Sequence, residues 1–281
     1  MKRILMSVTL VAFLLVGCNG DEKAAQARLD KARAMYENDE LFGAKNEIDS
    51  IRTLYPKEVK VLRQGLTLTR LIEKREAERN IAYCDSLLPI KLEEVEDLKK
   101  GFVFEKDTVY EEIGNYIWKQ QTIERNLQRC YVRCGVSEKG EMYLASVYYG
   151  GRSIEHTGIK LSVKDKEKGE QFATTASIPY DGGLNYRFKD MGSTTEVVTY
   201  KGDHCVDAVK FIYENASDRI KVEYTGGKPY IIYMADADKK AIVTTFDLAT
   251  VLSDISTMTT LKEKSEKKIA YLNSKLKEEA E

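Results

Sequence analysis

Residues 142–151 read MYLASVYYGG, and the order of these ten letters decides what kind of fold surrounds them. Met142, Leu144, Ser146 and Tyr148 put every second side chain on one face, which is the period of a strand and not of a helix. Gly150-Gly151 then stops the run. The same alternation recurs in Ile159-Leu161-Val163, Phe172-Thr174-Ala176-Ile178, Leu184-Tyr186-Phe188, Ile220-Val222-Tyr224 and Ile231-Tyr233. Turn-rich letters separate these runs at 137–140, 164–169, 179–183 and 226–227. Short strands at this spacing predict an antiparallel β-sandwich or a partly closed barrel over residues 101–245. Within it, Val206, Val209 and Tyr213 share one helical face, predicting a short helix in 205–215.

Outward from this block the period changes to that of a helix on both sides, so the fold class is α+β. Residues 18–100 carry a helical hairpin and a long kinked helix. Ala25, Leu29, Ala32 and Tyr36 mark the first helix, and Ala44, Ile48, Ile51 and Tyr55 the second, which Pro56 ends. The third runs from Pro56 to about Leu98, kinked at Pro89, with Ala77, Ile81, Cys84, Leu88, Val95, Leu98 and Phe102 as its apolar stripe. Residues 246–281 form a C-terminal amphipathic helix striped by Ile255, Met258, Ser265, Ile269, Leu272 and Leu276. It is expected to pack on the N-terminal helices, either as ordinary core packing or as a coiled-coil stalk. The offsets of Ala44, Ile48, Ile51 and Pro56, with Tyr36 before them, resemble one tetratricopeptide unit, one residue short between its helices. A single unit buries neither of its faces, so the resemblance implies a hairpin and not a repeat array.

The first twenty residues, MKRILMSVTLVAFLLVGCNG, carry an address. Lys2 and Arg3 precede an uncharged run from Ile4 to Val16 that is 13 residues long. That is well short of the roughly 20 residues a bilayer span requires, so residues 1–17 read as a signal peptide. Leu15-Val16-Gly17-Cys18 resembles the lipobox of bacterial lipoproteins, and it implies cleavage before Cys18 and acylation of that thiol. Two or three acyl chains give a stable anchor, at roughly 0.8 kcal/mol per buried CH₂. Position 19 is Asn, and the acidic pair Asp21-Glu22 resembles the export signal of surface lipoproteins of Bacteroidetes bacteria. The resemblance implies an outer-membrane protein, facing either the periplasm or the outside.

Loss of Lys2 and Arg3 takes the formal charge from −1 to −3, a balance that gives no attraction to nucleic acid. At 32% charged and 43% hydrophobic, with four prolines, the chain has the composition of a folded protein. Export would permit disulfides among Cys84, Cys130, Cys134 and Cys205, in any of three full pairings. If residues 130–136 are a strand, Cys130 and Cys134 share the face of Val132 and Val136, as core side chains do.

The sequence contains no G-x-S-x-G, H-E-x-x-H, Walker or G-x-G-x-x-G motif. His156 and His204 are its two histidines, so these alone offer imidazole chemistry. Cys130, Cys134, His204 and Cys205 are the candidate zinc ligands, against which stands a reading as core thiols. Asp236-Ala237-Asp238 and 165–170 are acidic turns with oxygen ligands for calcium, or simply solvated. No catalytic residue, cofactor or metal is assigned.

One enrichment remains: thirteen of the seventeen tyrosines fall between Tyr110 and Tyr233. Tyr143, Tyr148, Tyr149, Tyr180, Tyr186 and Tyr230 are the candidate ligand-binding aromatics, to be weighed against cross-strand packing. The expectation is a non-enzymatic, lipid-anchored envelope protein that binds or scaffolds a protein or glycan partner. A carbohydrate-capture lipoprotein would need at least three coplanar exposed tyrosines on one sheet face. A hydrolase would need His156 or His204 in a pocket beside acids.

Overall fold

The computed structural model describes residues 18–106, 112–165 and 169–280; the predicted signal peptide, Tyr110 and part of the acidic run 165–170 lie outside these. The fold is α+β, with five α-helices and two antiparallel sheets among the described residues. The described residues form two compact units, 18–86 with 259–280, and 87–258.

In the first unit, α1 (Cys18–Glu37) and α2 (Leu41–Leu54) form the predicted hairpin, followed by the start of α3 (Val59–Lys99). Ala25, Leu29, Ala32, Ala44, Ile48 and Ile51 are all buried, joined by Val61, Leu68 and Ile72 of α3. α2 stops because Tyr55 precedes Pro56 and leaves the helical region, at φ −128° and ψ 53°. The end of α5 (Asp236–Ala280) belongs to this unit, where Lys268 pairs with Glu73 and Lys262 with Asp85. Pro89 lies inside α3, as the sequence predicts, on its exposed side.

The second unit holds the sheets. One has six strands in the order β1 (Phe102–Glu105), β2 (Asn115–Trp118), β3 (Tyr131–Ser137), β4 (Met142–Gly150), β8 (Ser193–Lys201) and β7 (Asn185–Asp190). The other runs β10 (Tyr230–Tyr233), β9 (Lys221–Thr225), β5 (Gly158–Asp165) and β6 (Gly169–Thr174). Their facing side chains, among them Leu144, Val198 and Tyr200 against Leu161, Val222 and Tyr224, form one core. α4 (Val206–Glu214) and the start of α5 complete it through Ala208, Ile212, Ala241 and Ile242. Neither sheet closes on itself among the described residues, so no closed barrel is formed.

Three boundaries depart from the sequence reading. α5 begins at Asp236 and not at Phe246, because Asp236 and Asp238 make an acidic first helical turn, which the helix dipole favours, and not a loop. β6 ends at Thr174, after which Ala176 donates its N–H to the carbonyl of His204 and not to a neighbouring strand. β8 carries no run in the sequence reading, yet it sits inside the six-stranded sheet. α5 is the one described helix long and apolar enough to cross a membrane. Its Ile242, Leu248 and Leu252 are buried in the second unit's core.

Candidate functional site

The alternation that builds the six-stranded sheet gives it two faces of opposite character. Its outer face holds a cleft of about 270 Å³ spanning β3, β4, β8 and β7. Tyr131 and Arg133 rise from β3, Val147 and Tyr149 from β4, Thr195 and Val197 from β8, and Tyr186 and Phe188 from β7. Pairing explains the meeting: Tyr131 lies opposite Val147, Val147 opposite Val197, and Val197 opposite Tyr186. The segment from Ile123 to Arg129 walls one side. Tyr186 and Phe188, two residues apart on one strand, hold their rings parallel within 11° at 6.4 Å. The Arg129 guanidinium lies 4.5 Å from the Tyr131 ring centre and pairs with the buried Asp238. Burial pushes the Tyr131 hydroxyl above its ordinary pKa, against the opposing pull of Arg133 and Arg129. Burial likewise raises the Asp238 carboxyl, with Arg129 and Gln121 pulling it back.

The structure divides the six candidate tyrosines. Tyr149 and Tyr186 line the cleft. Tyr143 shares the outer face of β4 but lies over Gly135, where a Cβ would come within 2.6 Å of its hydroxyl. Tyr148 is a correction: its ring is buried in the core, edge-on to Tyr224 and Tyr230, with its hydroxyl donating to the Arg152 carbonyl at 2.8 Å. Tyr230 is partly exposed within that same cluster, and Tyr180 sits under the Arg187 guanidinium, 4.7 Å away. Among the described residues the parallel rings are those of Tyr186 and Phe188, and not of three exposed tyrosines. Tyr131 and Phe188 are the aromatic residues the sequence reading missed, and their shared outward register with Tyr149 and Tyr186 is what would have found them.

The inner face of the same sheet carries a constellation that sequence motifs did not announce. Ser146 Oγ lies 2.8 Å from His156 Nε2, and His156 Nδ1 lies 3.0 Å from Glu196 Oε2. This has the connectivity of a serine, histidine and acid triad. Its members are 0, 1 and 2% exposed, so no substrate reaches the serine in this arrangement. Ser146 is instead tied to the buried Tyr200 hydroxyl at 2.8 Å. Glu196 accepts from the Ser153 hydroxyl and from the backbone N–H groups of Ile154, Glu155 and His156, pinning the segment between β4 and β5. Burial acts to raise the Glu196 pKa, but the hydrogen bonds from His156, from Glu155 N–H and from Ser153 outweigh it and bring it to about 2. Its signal in the sequence is weak: Val198 and Tyr200 alternate, but the polar Thr194 and Glu196 at the preceding inward positions hide the strand, and a buried carboxylate there demands partners.

His204, the other imidazole, is exposed. Cys84, Cys130, Cys134 and Cys205 are free thiols. Cys134 is buried in the core beside Gln121 and Thr245, and burial pushes its pKa up to about 12, which leaves it protonated and inert at neutral pH. Among the described residues no group of three or more His, Cys, Asp or Glu side chains converges as metal ligands do. Compared with known protein families, curated proteins and solved structures, the chain matches none.

Proposed function

We propose that this chain is a lipid-anchored protein of the bacterial outer membrane, held by an acylated Cys18, that binds another envelope macromolecule and catalyses no reaction of its own. The observation that carries the binding role is the cleft on the outer face of the six-stranded sheet, with its parallel Tyr186 and Phe188 rings open to solvent. Concave apolar sites with a few polar groups are where proteins take ligands, and exposed aromatic rings are costly to keep on a surface that nothing covers. The anchor rests on the resemblance of residues 15–18 to a lipobox.

Cross-linking of intact cells, followed by recovery of the tagged chain and mass spectrometry, tests the binding role. The wild-type chain should bring down one partner near stoichiometrically, and a Tyr186→Ala, Phe188→Ala double variant should lose it. Equal recovery by both would remove the cleft from consideration. Cys18→Ala should release the chain from the membrane fraction; a variant that still sediments with membranes after a salt wash would overturn the anchor.

A further inference from the structure

The cleft has a charged end as well as an aromatic wall. Arg133 projects into it from β3, and a guanidinium carries five N–H donors. Among the described residues its one polar contact is to Glu105 at 3.4 Å, longer than an ordinary charge-assisted bond, and the Glu105 side chain is itself 46% exposed. The Arg133 side chain is only 16% exposed, and its Nε is buried with no acceptor. Arg129, by contrast, is already matched by Asp238. The acid that lines the cleft, Asp190, stands on β7, three strand spacings away from β3, or roughly 14 Å at about 4.8 Å per spacing. Among the described residues, therefore, only the long contact to Glu105 offsets the Arg133 charge, and Asp190 is too far off to supply more.

The rim adds a second observation. Of the four described non-glycine residues with positive φ, two line this cleft: Gln128 at +60° and Met191 at +45°. Met191 is also 99% exposed, at the tip of the β7–β8 turn. Met191 and Gly192, at +83°, are the two-residue loop of the β7–β8 hairpin, whose favoured turns place both central residues at positive φ.

Resting on the reading of the cleft as the binding site, we infer that it takes a carboxylate joined to a ring-sized apolar body. The oxygens would face Arg133 and the body would lie against Tyr149, Tyr186 and Phe188. The same chemistry is presented by a free small acid and by a polypeptide that ends in an apolar residue. Titration calorimetry of the purified full chain separates the two sources. One arm uses 4-phenylbutyrate and its uncharged amide; the other uses a short glycine-rich peptide ending in phenylalanine, as free acid and as amide. In at least one arm the acid should bind at least about tenfold tighter than its amide, as expected for a charge-assisted contact, and the arm that responds names the source.

Arg133→Gln should abolish that preference, and Glu105→Gln should strengthen acid binding by freeing the guanidinium. No binding by either acid at millimolar concentration, or equal binding of acid and amide, overturns the inference. So does a preference that survives Arg133→Gln. Should Arg133→Gln fail to fold, Glu105→Gln decides, and an unchanged acid affinity there overturns the inference. If the acids fail while the Tyr186→Ala, Phe188→Ala variant still loses its cross-linked partner, the cleft keeps its binding role and only this ligand class is lost.

Discussion

Strand β8 faces two environments one residue apart. Thr195 and Val197 point outward into an open aromatic cleft, whereas Glu196 and Val198 point inward to a sealed polar network and an apolar core. The inward set has the more familiar chemistry, a serine bonded to a histidine bonded to a carboxylate, and it does structural work. The outward set carries no such bonding pattern and is the one open to solvent. The difference teaches that bonding pattern alone does not make a site. Glu196 accepts five hydrogen bonds from the chain segment 153–156, including Glu155 at φ +60° and the His156 ring, so its charge is spent on holding a loop.

The comparison breaks most visibly at Glu196. Replacing it with Gln removes the charge that faces His156 and sets an amide N–H₂ against backbone donors. Breaking a buried pair of this kind costs roughly 3 kcal/mol, so thermal denaturation should show Tm lower by roughly 6–12 °C. An unchanged Tm would mean that the network is not structural.

The pH dependence follows from the same carboxylate. Its pKa is lowered from 4.5 to about 2 in the folded chain. The resulting stabilisation is complete above the unfolded value and is lost as pH falls toward the folded one. Urea midpoints should decline between about pH 4.5 and 2 by the equivalent of roughly 3 kcal/mol. Glu196→Gln should remove this part of the slope; an identical acid profile in the variant would assign the slope to other groups.

Ser146→Ala strands the buried His156 Nε2 and takes from the Tyr200 hydroxyl one of its partners, leaving Thr175, at a cost of roughly 1–3 kcal/mol. The variant should react no differently from the wild type with a serine-directed fluorophosphonate, since the wild-type hydroxyl is buried and the variant has none there. Labelling of the wild type alone, at Ser146, would show that the network opens and would reinstate a hydrolase.

The smallest stability effect belongs to the outer face. Tyr186→Ala with Phe188→Ala should change unfolding free energy by less than about 1 kcal/mol, because both rings are solvent-exposed. Its effect should appear in partner recovery instead. A large loss of stability would mean that these rings are packing residues and that the two faces differ less than their exposure suggests.

How much of this was legible in the sequence differs by region. In the hairpin nearly everything was: Ala44, Ile48 and Ile51 fall on the buried stripe and Pro56 follows the helix end, because helical contacts are local. In the sheets the strands at Met142, Ile159 and Ile220 were legible from their alternation. β8 was not, because Thr194 and Glu196 break the apolar pattern at buried positions. For the cleft, Tyr149 and Tyr186 were among the candidates, but Tyr148 differed from Tyr149 by nothing the sequence displays except register.

The sequence by itself determined the period of each segment, the positions of its breaks and the cationic, then apolar, then cysteine order of its first eighteen residues. These depend on neighbours within a few positions, where φ/ψ preferences and side-chain spacing act. Only the tertiary structure decided which face of β4 met the second sheet. It also decided that Ser146, His156 and Glu196 would be sealed together and that Tyr131, Tyr149, Tyr186 and Phe188 would gather from three strands. Those outcomes depend on strand order and on the register of β4 against β8, where Ser146 lies opposite Val198 and Tyr148 opposite Glu196. A shift of one residue there would exchange the two faces, because side chains alternate with a period of two.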